Sequence, residues 1–268
     1  MVRIVKRSRG DSLSAGIVDV LAGGDRWHSG EELARVFGVS RAAIGKHVAG
    51  LRKAGHIIEA STNKGYFLLV KYEPVDREIV HNHLRTRIIG KSGWRTLSET
   101  TSTNNDAIAW ALADAPAGSI VTAEKQTHGK GRIGHEWFSS IHGLQFSIIL
   151  RPKVIDEPAL VKHMLSAISK AIEMRAAVRS TIKEPNDLLA GGKKIAGVLA
   201  ESGRRGNEID WLVLGAGCNV NVPLHAFPDG IREKSTSIHE ASGRFTGKSL
   251  LLADILNGFE KSAGKLIR

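Results

Sequence analysis

Four clusters in the later part of the chain carry residue types suited to chemistry. Residues 98–108 (SETTSTNNDAI) crowd hydroxyls and amides ahead of a helical apolar pattern. Ser102, Thr103 and Asn104 at such a helix start can hydrogen-bond a small polar ligand, and an ordinary helix cap uses the same residues. Residues 126–137 (QTHGKGRIGHEW) interleave Gly129, Gly131 and Gly134 with Lys130 and Arg132. Glycines let backbone N–H groups approach an anion and the cations neutralise it, so the segment reads as an anion loop. It opens no clear helix, so neither the dinucleotide fingerprint nor the P-loop pattern is met, and a flexible surface loop is the alternative.

In residues 183–201 (KEPNDLLAGGKKIAGVLAE), Pro185 starts a turn beside Asn186 and Asp187, and Gly191–Gly192 makes a hairpin that returns Lys193 and Lys194 on the next strand. A carboxylate and a lysine brought across a hairpin suit a metal-bound nucleotide; an ordinary cross-strand ion pair would look the same. Residues 214–222 (LGAGCNVNV) place Gly215 and Gly217 close to Asn219, which allows tight backbone packing.

These clusters need a scaffold. Strand-like runs (GSIVTAE, LQFSIIL, KIAGVLAE, IDWLVLGAGCNVNV) alternate with helical stretches at about 103–113, 158–178 and 248–262, which predicts an α+β domain around a mixed sheet. Ahead of it, Leu13, Ile17, Val18 and Leu21 recur at helical spacing until Gly23 and Gly24. Ser29 and Glu32 form a capping box for a short helix with Leu33, Val36 and Phe37, ended by Gly38. Ser40 then caps a helix with Ile44, Val48 and Leu51 inward, and the β-rich runs HIIEA and GYFLL flank STNK as a hairpin. Three helices and a hairpin are a winged helix-turn-helix. Its third helix offers Ser40, Arg41, Ala42, Gly45, Lys46 and His47, with Arg52 and Lys53 at its end and Lys64 in the hairpin loop, to a DNA groove and its phosphates. A solvated face used for protein contacts is the alternative.

Pro74 and an aperiodic polar stretch mark a linker, so the domains are read as 1–70, a linker over 71–82, and 83–268. The 268 residues, 42% of them hydrophobic, suffice for a real core. Lys and Arg number 38 against 27 Asp and Glu; the first 70 residues hold 11 against 6, so an anionic partner is expected and the first domain is the more basic. Cys218 is the only cysteine, which excludes an internal disulfide and disfavours a thiolate zinc site. No apolar run approaches the ~18 residues of a membrane span, and the start MVRIVKRSRG has no apolar run behind it, so a cytoplasmic location is expected.

In their order, STN, the GKGRIG loop with Trp137 after it, KxPND, KKIAGVLAE and GAGxNVN resemble the biotin protein ligase family. With SRAAIGKHV as recognition helix, the resemblance extends to its bifunctional ligase and biotin-operon repressor type and covers nearly the whole chain. It implies a class II synthetase-like catalytic domain that activates biotin with ATP and Mg²⁺ to biotinyl-5′-AMP. The biotin then passes to a lysine of the biotin carboxyl carrier protein. It also implies operator DNA as a partner and a homodimer when the adenylate is bound.

Residue by residue, the resemblance places Ser102, Thr103, Asn104 and Gln126 on biotin. It places Lys130, Gly131 and Arg132 in the loop that closes over the adenylate, and Lys194 on the biotin carboxylate and α-phosphate. Asn186 and Asp187 match positions near the phosphates and metal, Gly197 and Val198 put backbone against the ligand, and Trp137 and Asn219 belong to the nucleotide side. Glu184 stands where the family has Trp, which is expected to weaken ATP binding, and Lys130 and Ile133 make the loop poorer in arginine. The family continues past a helix like the one ending near Leu266 into a small β-barrel domain, which is not expected within these residues. Two other readings stay open: a biotin-responsive regulator without ligation, and a lipoate ligase relative.

Overall fold

The computed structural model describes residues 9–24, 26–132, 134–153, 156–206 and 208–267; Ile133 and the first eight residues, on which two expectations rest, lie outside them. The chain divides into two compact units, 1–72 and 73–268.

The first unit holds α1 (Arg9–Ala22), α2 (Gly30–Phe37), α3 (Arg41–Lys53), β1 (Ile57–Ser61) and β2 (Gly65–Val70). Both predicted caps form: Ser29 accepts from the Glu32 N–H, Ser40 from the Ala43 N–H, and Gly38 closes α2 in the left-handed conformation. Ile17, Val18, Leu21, Leu33, Ile44, Val48, Leu51 and Ile58 are buried in one cluster, the apolar positions the periodicity picks out. β1 and β2 pair antiparallel, with Ile58 opposite Leu68, to make the wing.

In the second unit, α4 (Arg77–His83) begins inside the stretch 71–82 expected to be linker and runs one residue past it. Asp76 caps it by accepting from the Glu78 and Ile79 N–H groups, and its single buried residue, Val80, joins the main core. A seven-residue helix with one inward side chain shows no periodicity in sequence, which is why 71–82 looks unstructured. There follow β3 (Trp94–Thr100), α5 (Thr103–Leu112), β4 (Ile120–Gln126), β5 (Gly129–Lys130), β6 (Glu136–Trp137), β7 (Leu144–Leu150) and α6 (Glu157–Ala176). Then come β8 (Thr181–Lys183), β9 (Asp187–Ala190), β10 (Lys193–Arg205), β11 (Glu208–Cys218), the short α7 (Asp229–Arg232) and α8 (Ile238–Ser242), and α9 (Lys248–Ala263).

Seven strands form a mixed sheet in the order β3-β4-β7-β11-β10-β9-β8, in which only β3 and β4 run parallel. Side chains of a strand alternate between faces, and the two faces bury different helices. Phe146, Ile148 and Leu150 of β7 with Leu212, Leu214 and Ala216 of β11 share a core with α6 and α9. Ile149, Trp211 and Val213, one residue out of step, pack with Ala107 and Ala111 of α5. Farther along that second face the positions become Ser147 and Gln145 on β7 and Gly215 and Gly217 on β11. The large apolar residues of the two strands give way there to small and polar ones.

Among the described residues no helix is long and apolar enough to cross a membrane.

Candidate functional site

A cavity of about 340 Å³ opens on this polar, glycine-bearing part of the sheet. The size suits a small ligand. Its lining includes Ser102, Thr103, Asn104, Gln126, Lys130, Gly131, Arg132, Trp137, Asn186, Asp187, Lys194, Gly197, Val198 and Asn219, so every residue assigned to the pocket from sequence meets there. Glu184 is exposed and is not in the lining of this cavity. Its place in the turn before β9 directs it to solvent.

One end of the cavity is neutral and polar. Ser102 caps α5 by accepting from the Asn104 N–H, and Thr103 donates its backbone N–H and hydroxyl to Gln126 Oε1 at 2.7 and 3.0 Å. Ser147 donates to Asn104 Oδ1 at 2.6 Å, and Asn104 Nδ2 donates to Glu201 Oε2 at 2.7 Å. Ser102, Thr103 and Asn104 are all buried. A set of hydroxyls and carboxamides fixed in this way can read a neutral head group through its donors and acceptors.

The other end is charged and aromatic. Gly191 and Gly192 both have positive φ, which a tight hairpin requires, and the turn folds β10 back on β9. Lys194 Nζ thereby reaches Asp187 Oδ1 at 2.7 Å and lies 5.4 Å from the Trp137 ring centre. The Lys194 backbone is held from the far side too: its N–H donates to Lys234 O and its carbonyl accepts from the Thr236 N–H. Trp137 lies across two strands that lack side chains beneath it. A Cβ at Gly217 would come within 2.6 Å of Trp137 Nε1, and one at Gly197 within 3.4 Å of the ring. The indole Nε1 is buried against Gly217 without a hydrogen-bond partner.

Two assigned residues spend their amides on the fold. Asn186 Nδ2 donates to Val198 O, and Asn219 Nδ2 to Thr236 O, so both shape the wall with the donor end of the side chain. Cys218 at the end of β11 is fully buried, and burial pushes its thiol up to about 12, so no thiolate nucleophile is present at neutral pH. Sequence reasoning missed Phe138, Phe227, Ile231 and Ser235 in the lining. Phe138 and Phe227 pack with ring centres 5.5 Å apart, an apolar wall at the charged end. Neither lies in a recognisable motif.

The residues 95–219 match the model of the "Biotin/lipoate A/B protein ligase family", and residues 17–67 match an "HTH domain" model. The "Bifunctional ligase/repressor BirA" of Bacillus subtilis is 34% identical over 243 residues, covering 89% of this chain and 74% of that protein. This chain belongs to the biotin/lipoate protein ligase family. Within the family, the "Biotin--[acetyl-CoA-carboxylase] ligase" of Mycobacterium tuberculosis is 36% identical over 160 residues, 54% of this chain and 58% of that one. The fold also matches a solved ligase of the family, "Biotin protein ligase from Aquifex aeolicus in complex with biotin and ATP". The TM-score is 0.58 at 29% identity, over 65% of this chain and 71% of that one.

In the helix-turn-helix unit of this ligase-family chain, Arg41, Ala42, Lys46 and Lys64 are exposed. Lys64 lies over the Trp27 ring at 5.7 Å. Three other candidates are engaged within the unit. Ser40 caps α3, His47 Nδ1 pairs with Ser14 Oγ at 2.9 Å, and Arg52 donates twice to Ile58 O, tying α3 to the wing.

Proposed function

We propose that this chain joins biotin and ATP in the cavity to give biotinyl-5′-AMP and pyrophosphate, then passes biotin to a lysine of the biotin carboxyl carrier protein. One observation carries the reading: a neutral hydrogen-bonding end built from Thr103, Asn104 and Gln126 shares one cavity with the Lys194–Asp187 pair under Trp137. A ligand with a neutral polar head and a carboxylate tail fits that polarity.

In the first step a biotin carboxylate oxygen bonds to the α-phosphorus and the bond to pyrophosphate breaks. Lys194 stands between the two anions that must meet, so its ammonium offsets their repulsion and the charge that grows on the α-phosphate. Trp137 and the Phe138–Phe227 wall supply apolar surface for the purine. Gly131 and the Lys130 and Arg132 side chains cover the mixed anhydride and limit its hydrolysis. In the second step the carrier lysine amine attacks the biotinyl carbonyl and AMP leaves. Mg²⁺ would be held by phosphate oxygens with Asp187 and would neutralise the triphosphate; a donor set of one carboxylate beside the nucleotide suits an ion that arrives with ATP.

The test is pyrophosphate release. Biotin, ATP and Mg²⁺ together should produce it, and omission of biotin should abolish it; release that ignores biotin would contradict the proposal.

The winged helix supports a second activity, repression at operator DNA. One such domain reads few base pairs, so binding is expected to need two half-sites and a dimer. The adenylate would favour that dimer through linkage. Sedimentation with and without biotin and ATP tests this, and a monomer bound to operator at all ligand concentrations would exclude it.

A further inference from the structure

Glu201 lies on β10, on the cavity face of the sheet, in register opposite Val213 and one alternation beyond Leu199. Its two carboxylate oxygens go to different partners. Oε2 accepts from Asn104 Nδ2 at 2.7 Å, and Oε1 meets Lys130 Nζ at 3.0 Å. The first partner is a buried side chain of the neutral end, 3% exposed; the second belongs to the glycine loop and is half exposed. β10 is the only element that touches both groups through one side chain among the described residues.

We propose that Glu201 is a positioning residue that couples the biotin-head pocket to closure of the loop. The inference rests on the biotin-ligase reading above. Asn104 Oδ1 is already satisfied by Ser147, so the acceptance by Glu201 fixes which way the carboxamide points. A carboxamide turned over could still donate to the Ser147 hydroxyl, which has Thr103 Oγ1 as a second acceptor, but it would set its oxygen against the Glu201 carboxylate and lose that contact. Glu201 therefore sets the hydrogen-bond polarity that Asn104 presents to the ligand. The same carboxylate holds the ammonium of Lys130, a residue of the cavity's lining, so the loop is tied to the group that would read the head of biotin.

The two arms separate by chemistry. Glu201→Ala removes both. Glu201→Gln keeps one acceptor oxygen but replaces the other with a donor, which cannot pair with the Lys130 ammonium. The buried Asn104 claims the remaining oxygen, because an unsatisfied buried donor costs more than a lost half-exposed ion pair.

The experiment measures biotin affinity by calorimetry, stray labelling of albumin during turnover, and thermal unfolding, in the full chain. Glu201→Ala should weaken biotin binding roughly tenfold, about 1.4 kcal/mol, and raise stray labelling. Glu201→Gln should restore biotin affinity to within roughly threefold of wild type while stray labelling stays high, a split that a merely structural cross-link would not give. Wild-type affinity in Glu201→Ala, or equal loss of affinity in both variants at unchanged unfolding temperature, would overturn the coupling. Failure of the wild-type protein to bind biotin would instead overturn the ligase reading on which it rests.

Discussion

Gly215 on β11 lies directly against the carboxamide of Asn104 on α5. A Cβ at 215 would overlap the amide oxygen and stand 2.8 Å from Cγ. Asn104 cannot step aside, since Ser147 and Glu201 hold both ends of its amide. Gly215→Ala is therefore expected to reduce biotin affinity at least tenfold and to cost about 1–3 kcal/mol of stability as overpacking. Calorimetry and thermal unfolding measure the two, and unchanged biotin affinity would move the head group to another part of the cavity.

Lys194→Ala removes the cation between Asp187 and Trp137. Adenylate formation should slow by about 2–4 kcal/mol of transition-state stabilisation, with a smaller effect on biotin binding. Single-turnover pyrophosphate release reads this. Wild-type rates would hand the role to another group, with Lys193 the first to try.

On the DNA side, Arg41 and Lys46 are exposed while His47 is tied to Ser14. Lys46→Ala is expected to weaken operator binding and to lower the slope of log affinity against log salt by about one. His47→Ala should act mainly through the stability of the α1–α3 contact. If Lys46→Ala left affinity and salt slope untouched, α3 would not be the DNA-facing helix.

The winged-helix unit should lose stability in acid. Burial, and secondarily Lys71, hold the His56 imidazole below its usual value of 6.5, and its Nδ1 accepts from the Tyr72 N–H, a contact that needs the neutral ring. The unfolded chain then binds a proton in a range where the folded chain does not. Stability is full above about pH 6.5 and falls as pH drops through that value toward the folded one. Calorimetric unfolding of wild type and His56→Gln between neutral and mildly acidic pH should show a shallower decline in the variant; parallel declines would remove His56 as the cause.

The site was legible where its chemistry is local. The Gly191–Gly192 turn brings the strand of Lys194 back beside that of Asp187, although the register pairs Lys194 with Leu189 and Asp187 with Gly197, and the caps of α2 and α3 can be read from Ser29 and Ser40, because each depends on a few neighbouring residues. The sheet face was half legible: LGAGC announces missing side chains at 215 and 217, but not that Trp137 fills the space over Gly217. Contacts between distant segments left no trace. Glu201 meets Asn104 across 97 residues, and Phe227 comes from a connection with no periodicity. α4 stayed hidden because one buried side chain in seven residues gives no pattern.

Transfer of labelled biotin to a carrier domain tests the central claim most directly. The full chain, ATP, Mg²⁺, labelled biotin and a biotin carboxyl carrier domain are incubated, and label on the carrier is counted. Label should appear on one carrier lysine, only when ATP is present, and should be lost in Lys194→Ala. Tight biotin binding with no ATP-dependent transfer would contradict ligation and leave the chain as a biotin-responsive DNA-binding regulator.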